Sequence, residues 1–219
     1  MFSLNQINRI KIAKRIVQEL KQGQVVNLGV GIPTLIPDYL GEKKLVLQSE
    51  NGLLGMGPTP SAAEVNMDLI SASKAPITME IGASLFDSSN SFAMIRGGHI
   101  DVAVLGVLQV DQTGEIANWA VPGQTILGVG GAMDLVAGAN EIIVATLHSS
   151  KNGVPKLVKE LTFPSSGIRK ADLVVSEHAV FRYENGTMKL VEILSDISID
   201  ELKEITGAEF EYNSEITNT

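Results

Sequence analysis

Val102-Ala103-Val104-Leu105-Gly106-Val107-Leu108 is the stretch on which the fold turns. No polar side chain interrupts it and valine dominates it. Such a run lacks the alternation of a half-solvated strand and suits one covered on both faces, as in a parallel sheet. Working outward, Val25–Leu28, Leu45–Leu47, Thr78–Ile81, Glu141–Leu147 and Leu173–Val175 are shorter strand candidates of the same kind. Helical segments lie between and around them. Ile7, Ile10, Ala13, Ile16, Val17 and Leu20 recur at helical spacing up to a stop at Gly23. Pro33 can open a helix through Leu40, and Ser91–Arg96 predicts a short helix stopped by Gly97-Gly98. Glu184-Asn185-Gly186 marks a hairpin within Phe181–Glu192, and Ser198 with Glu201 forms a capping box for a last helix stopping at Gly207. The expectation is one α/β domain over residues 1–211, an open, mainly parallel sheet with helices on both faces, and a loose polar tail over 212–219.

Composition narrows the function. The chain has 219 residues, 44% apolar and 19% charged, with a formal net charge of −8. Nucleic-acid binding draws its affinity from clustered cations, and no basic cluster is present in the sequence. With no cysteine, the chain has no disulfide, thiolate nucleophile or zinc-thiolate site of its own, which fits a cytoplasmic location. Met1–Lys21 mixes Ile with Lys and Arg and does not read as a signal peptide. The longest apolar stretch falls far short of the roughly 18 residues a membrane span needs.

Three glycine-rich turns, Gly29-Val30-Gly31, Gly55-Met56-Gly57 and Gly128-Val129-Gly130-Gly131, adjoin apolar strands. In an open α/β sheet such loops line the binding crevice, and glycine lets their N–H groups approach a ligand. None completes a phosphate-binding or dinucleotide fingerprint, so each is equally readable as a tight turn. Ser49-Glu50-Asn51-Gly52 sets one carboxylate at the end of a short strand. A glutamate there is ordinarily a solvated loop residue; a functional one needs a partner acid, a metal set or a covalent role. No acid is close in sequence, and His99, His148 and His178 lack ligand spacing, which leaves a covalent role.

The segment Gln48-Ser49-Glu50-Asn51-Gly52 with Gly55-x-Gly57-Pro58 resembles the active-site signature of the family I 3-oxoacid CoA transferases. Asn27–Thr34 is similar to that family's first glycine loop. Ser91–Asp101, Ala117-Asn118-Trp119 with Pro122-Gly123, and Gly130–Val136 resemble further blocks, in the family's order, from about Ile7 to about Phe210. The likeness is to the B (β) subunit or the C-terminal half of fused enzymes.

The resemblance implies a fold of the CoA transferase (ribose-5-phosphate isomerase-like) type and a ping-pong transfer through Glu50, by way of an acyl-glutamyl anhydride and a glutamyl-CoA thioester. It implies oxyanion donors at the Asn27 amide and the Gly131 N–H, and substrate or CoA contacts at Lys74, Gly29, Gly31, Ser49, Asn51 and Gly130. It implies coenzyme A as substrate with no metal or permanently bound cofactor. The partner would be an A (α) subunit, in a heteromer of two A and two B chains, and the substrates short acyl-CoAs and carboxylic acids such as acetoacetate. Ser71-Ala72-Ser73-Lys74, Glu80-Ile81-Gly82 and Phe163–Ser166 depart from the family's commoner forms. His99, Asp101 and Trp119 read as structural. A non-catalytic ligand-sensing domain of the same fold is the alternative.

Overall fold

A computed structural model describes residues 3–124 and 128–213. The chain runs through α1 (Leu4–Glu19), β1 (Val25–Leu28), a 3-10 helix (Ile32–Tyr39), β2 (Val46–Ser49), β3 (Leu53–Met56), β4 (Met79–Leu85) and α2 (Ser88–Arg96). It continues through β5 (Val102–Gly106), β6 (Gln109–Asp111), β7 (Ile116–Ala117), α3 (Ala132–Gly138), β8 (Glu141–Ala145), β9 (Leu157–Val158), β10 (Leu173–Val175), β11 (Ala179–Glu184), β12 (Thr187–Ile193) and α4 (Ile199–Ile205). Nine strands form the main sheet in the order β12-β11-β10-β8-β5-β1-β2-β3-β4. The five central strands, β10 to β2, are parallel. Antiparallel pairs flank them on both sides.

The fold expectation holds, and the central run shows why. Val102 and Val104 pack with Ile12 and Ile16 of α1 on one face, while Ala103 and Leu105 pack with Ile95, Leu135 and Leu202 of α2, α3 and α4 on the other. Successive side chains of a strand point to opposite faces, so a strand covered on both must be apolar throughout.

Several boundaries differ from the sequence reading, each for a physical reason. Pro37 lies inside the segment opened by Pro33. It lacks an N–H and its ring crowds the carbonyl four residues back, so the chain winds as a 3-10 helix. β5 stops at Gly106, and Gln109 starts a second, three-stranded sheet ordered β7-β6-β9. There the Gln109 Oε1 accepts the Thr162 and Phe163 N–H groups at 3.0 and 3.2 Å. The helix expected from Ser91 begins a turn earlier, because the Asp87 carboxylate caps it through the Asn90 N–H. Met79–Leu85 is an edge strand with a largely exposed surface.

The local signals at the C-terminal end hold. Asn185 and Gly186 take φ 53° and 79°, as a two-residue hairpin turn demands, and the Ser198–Glu201 capping box is formed. Of the expected tail, Tyr212 accepts a hydrogen bond from Lys203 at 3.3 Å, while 214–219 lie outside the described residues. Among the described residues no helix is long and apolar enough to cross a membrane.

Candidate active site

Parallel pairing places the C-terminal ends of β2, β1, β5, β8 and β10 along one edge of the sheet. From β1 the chain moves to β2 on one side, whereas from β5 it moves to β8 on the other. The strand order therefore reverses between β1 and β5, the topological switch point where open α/β sheets bind their ligands.

Glu50 follows β2 directly on this edge and is partly buried. Its turn is forced by Gly52, whose φ is 121° and whose notional Cβ would stand 2.0 Å from the Phe86 carbonyl oxygen. No other residue type fits there. Two hydrogen bonds stitch the turn to the loop at 70–76: the Ala72 N–H donates to Ser49 Oγ at 2.9 Å, and Asn51 Nδ2 donates to the Ile70 carbonyl at 2.8 Å. That loop carries Lys74, exposed and held at φ 64°, a left-handed conformation uncommon for a residue with a Cβ and one that clusters near functional sites.

Gly131, at the head of α3, closes the site from the other side. A Cβ on it would lie 2.9 Å from the Glu50 Cδ and 3.0 Å from each carboxylate oxygen, so only a glycine leaves the carboxylate its place. Burial raises the Glu50 pKa and the charge of Asp134 raises it further, while the Gly131 backbone hydrogen bond pulls it back. Asp134 is itself held by Arg96 at 2.7 Å. The result is a partly buried carboxylate close against the Gly131 backbone.

The other residues expected at the site take varied places. Asn27 is fully buried, and its Nδ2 donates to Gln48 Oε1 of the neighbouring strand, whose Nε2 donates to Ser91 Oγ at 2.7 Å. The Asn27 Oδ1 has no partner. The structure thus ties Asn27 to the strand bearing Glu50, with no hydrogen bond to Glu50 itself. The Gly29 N–H is spent on the Val104 carbonyl at 2.8 Å, Gly31 (φ 98°) starts the 3-10 helix, and Gly130 (φ 57°) turns the chain into Gly131. Ser49 and Asn51 hold the Glu50 turn as described.

Away from the site, Asp101 accepts the Val25 N–H at 2.8 Å and Trp119 donates to the Ser165 carbonyl at 3.0 Å, while His99 is exposed. Among the described residues no three His, Asp or Glu side chains gather as a metal site. The sequence reading did not single out Asp134, the Gln48–Ser91 link or the three cations of the neighbouring pocket, Arg9, Lys151 and Lys156. They are scattered along the chain, and only the sheet order brings them together.

The site thus sets the Glu50 carboxylate against the Gly131 backbone beyond the strand ends of an open α/β sheet, and comparison with known proteins gives the class. The profile of the Coenzyme A transferase family matches residues 9–204. The chain is 49% identical over 203 residues to the B polypeptide of the succinyl-CoA:3-ketoacid coenzyme A transferase of Helicobacter pylori, covering 93% of this chain and 98% of that one. It is 44% identical over 207 residues to the beta polypeptide of the acetate CoA-transferase of Escherichia coli, covering 94% of each. The crystal structure of an acyl-CoA transferase apoenzyme from Escherichia coli O157:H7 has the same fold, with a TM-score of 0.75 at 22% identity, over 100% of this chain and 44% of that one. The chain belongs to the coenzyme A transferase family and is an enzyme that transfers CoA.

Proposed function

We propose that this chain is the nucleophile-bearing B (β) subunit of a heteromeric 3-oxoacid CoA transferase and that Glu50 carries the CoA between substrates. The observation that supports it is the Glu50 carboxylate packed against the backbone of Gly131 at the sheet edge.

In this mechanism a Glu50 oxygen attacks the thioester carbonyl. The C–S bond breaks, and CoA leaves as thiolate from an acyl-glutamyl anhydride. The thiolate then attacks the Glu50 Cδ, expelling the first carboxylate and leaving a glutamyl-CoA thioester. An acceptor carboxylate attacks Cδ in turn, releasing the thiolate, which attacks the acceptor's acyl carbonyl and restores Glu50. The second and third attacks build an oxyanion on the glutamate's own oxygen. In this reading the Gly131 N–H is the donor to that oxygen, and one such donor contributes about 3–4 kcal/mol.

Asn27 supplies a second donor when its amide and that of Gln48 turn together. Gln48 Nε2 then donates to Asn27 Oδ1, Ser91 donates to Gln48 Oε1, and the unpaired Asn27 atom becomes an N–H. Lys74, on the loop tied to the Glu50 turn, meets the substrate carboxylate or the CoA arm. The A (α) subunit covers the exposed apolar side chains around the site, Val30, Val129 and Met133. Substrates are short acyl-CoAs and 3-oxoacids, and the enzyme works in the cytoplasm.

The test is direct. The heteromer is incubated with acyl-CoA without acceptor, then treated with borohydride, and the peptide containing Glu50 is weighed. Reduction of Glu50 to the alcohol is expected. Continued transfer with Glu50 unmodified, or a Glu50→Ala complex with wild-type turnover, overturns the assignment.

A further inference from the structure

A cavity of about 480 Å³ opens at the switch point itself, over the ends of β1, β5 and β8, with Gly31, Gly106 and Ala145 in its lining. It also takes in Arg9, Lys151 and Lys156, and its lining contains no Asp or Glu. Among the described residues none of these three cations has an ion-pair partner, although the protein as a whole carries a net charge of −8. Lys156 is partly buried, and its ammonium donates only to the Val107 carbonyl at 3.2 Å and Thr146 Oγ1 at 3.4 Å. Glu177, the acid with most influence on it, accepts the His148 N–H at 2.8 Å. The Arg9 guanidinium lies beside Gly31, its Nη2 3.7 Å from where a Cβ would stand. Burial pushes the Lys156 pKa down, Glu177 partly restores it and Arg9 pushes it down again. A desolvated Lys156, repelled by Arg9 and only partly compensated by Glu177, is stabilised by an incoming anion.

We infer that the Arg9–Lys151–Lys156 cavity is an anion subsite that grips a negatively charged oxygen group of the thioester substrate while its carbonyl faces Glu50. The subsite rests on the transferase reading above. Its position is right for that use: β2, which delivers Glu50, pairs with β1, and the cavity begins over β1. Strands lie about 4.8 Å apart, so the cavity spans from one to three strand spacings, roughly 5–15 Å, along the edge from Glu50. Two sources share this chemistry, the distal carboxylate of a dicarboxylic acyl group and a phosphate of CoA.

Lys156→Met and Lys156→Arg chains are assembled with the A (α) subunit, and assembly is checked by size-exclusion chromatography. KM and kcat are measured for succinate against acetate as acceptors, and for acyl-CoA against the same acyl group on pantetheine. Titration calorimetry with succinate and with adenosine bisphosphate supplies a readout that does not depend on turnover. The Met variant is expected to lose about 10-fold or more in affinity for one probe, with the Arg variant retaining most of it. A loss confined to succinate identifies the distal carboxylate. A loss confined to phosphate-bearing thioesters and adenosine bisphosphate identifies CoA. Unchanged affinity for both probes, an equal loss for acetate and pantetheine thioesters, or failure to assemble overturns the subsite. A wild-type complex that binds succinate or adenosine bisphosphate through Lys156 yet transfers no CoA counts instead against the transferase reading.

Discussion

Gly131→Ala separates the site from the fold with one methyl group. The backbone there has φ −85° and ψ 0°, which alanine adopts freely. The three atoms nearest the new Cβ are all in the Glu50 carboxylate, at 2.9 to 3.0 Å, where ordinary contact begins at 3.4 Å. The carboxylate must therefore retreat by about 0.5 Å or swing away. For the fold the change is small: alanine is a poorer N-cap than glycine, but it lowers the entropy of the unfolded chain, and each effect is about 1 kcal/mol or less. A melting temperature within about 4 °C of wild type is expected. For catalysis it is large, because a misplacement of about 1 Å can cost 100-fold and a misaligned oxyanion donor costs about as much. We expect kcat to fall about 100-fold in the assembled enzyme, measured by steady-state acyl transfer beside a thermal melt. A variant that melts like wild type and retains kcat within threefold would refute the claim that the Gly131–Glu50 contact organises the chemistry.

Asp134 raises the Glu50 pKa, and the proposed mechanism needs the ionised carboxylate, so Asp134→Asn should move the acid limb of kcat/KM to lower pH; a limb that stays put or rises removes Asp134 from the site's electrostatics. His148 is buried between Ser176 and Thr206, and burial, then the nearby His178, pushes its pKa down to about 4. The unfolded chain, near 6.5, binds that proton first, so stability should fall by about 3 kcal/mol as pH drops from 6.5 to 4. Magnetic resonance titration of the His148 ring checks this, and a midpoint near 6.5 would contradict it. Gly52→Ala combines a left-handed φ with a 2.0 Å backbone overlap and should cost about 3 kcal/mol or more; a melting temperature within 2 °C of wild type, on a scale of about 2–4 °C per kcal/mol, would show that the Glu50 turn is free to rebuild.

What could be read from the sequence was local chemistry. The unbroken apolar strands, the Asn185-Gly186 turn and the Ser198–Glu201 cap each announce a structure through residues within reach of one another, and each is there. Elements that depend on distant partners were not legible. β6, β7 and β9 are two or three residues long and exist only because the chain brings them together. β4 carries an alternating apolar face, Met79, Ile81, Ala83 and Leu85, most of it exposed at the sheet edge, and the sequence reading caught only its first part, Thr78–Ile81. Pro37 was visible and its effect on the helix type is local, but the sequence reading followed Pro33 alone. At the site, Glu50 could be located through its motif. The opposition of Gly131 was carried by family resemblance alone, because no periodicity links two residues so far apart. Arg9, Lys151 and Lys156 left no trace, because nothing in the sequence shows that β1, β5 and β8 end side by side.

The line Asn27–Gln48–Ser91 shows how closely register and chemistry are joined here. β1 and β2 are parallel, with Asn27 opposite Gln48, and in both strands the residues leading up to that pair are apolar. Apolar packing alone weakly penalises a shifted register in which another aliphatic residue takes each place, whereas a buried amide separated from its partner costs about 1–3 kcal/mol. The Asn27–Gln48 pair thus locks β2 to β1, and Gln48–Ser91 locks the pair to α2. Because Glu50 stands two residues beyond Gln48 and Gly29 two beyond Asn27, the same lock sets the register of Glu50 relative to the first glycine turn. The unpaired Asn27 atom belongs in this account as well. A fully buried polar atom without a partner is a cost that the fold could have avoided with an aliphatic residue, and the oxyanion role proposed for Asn27 is a use that would offset it.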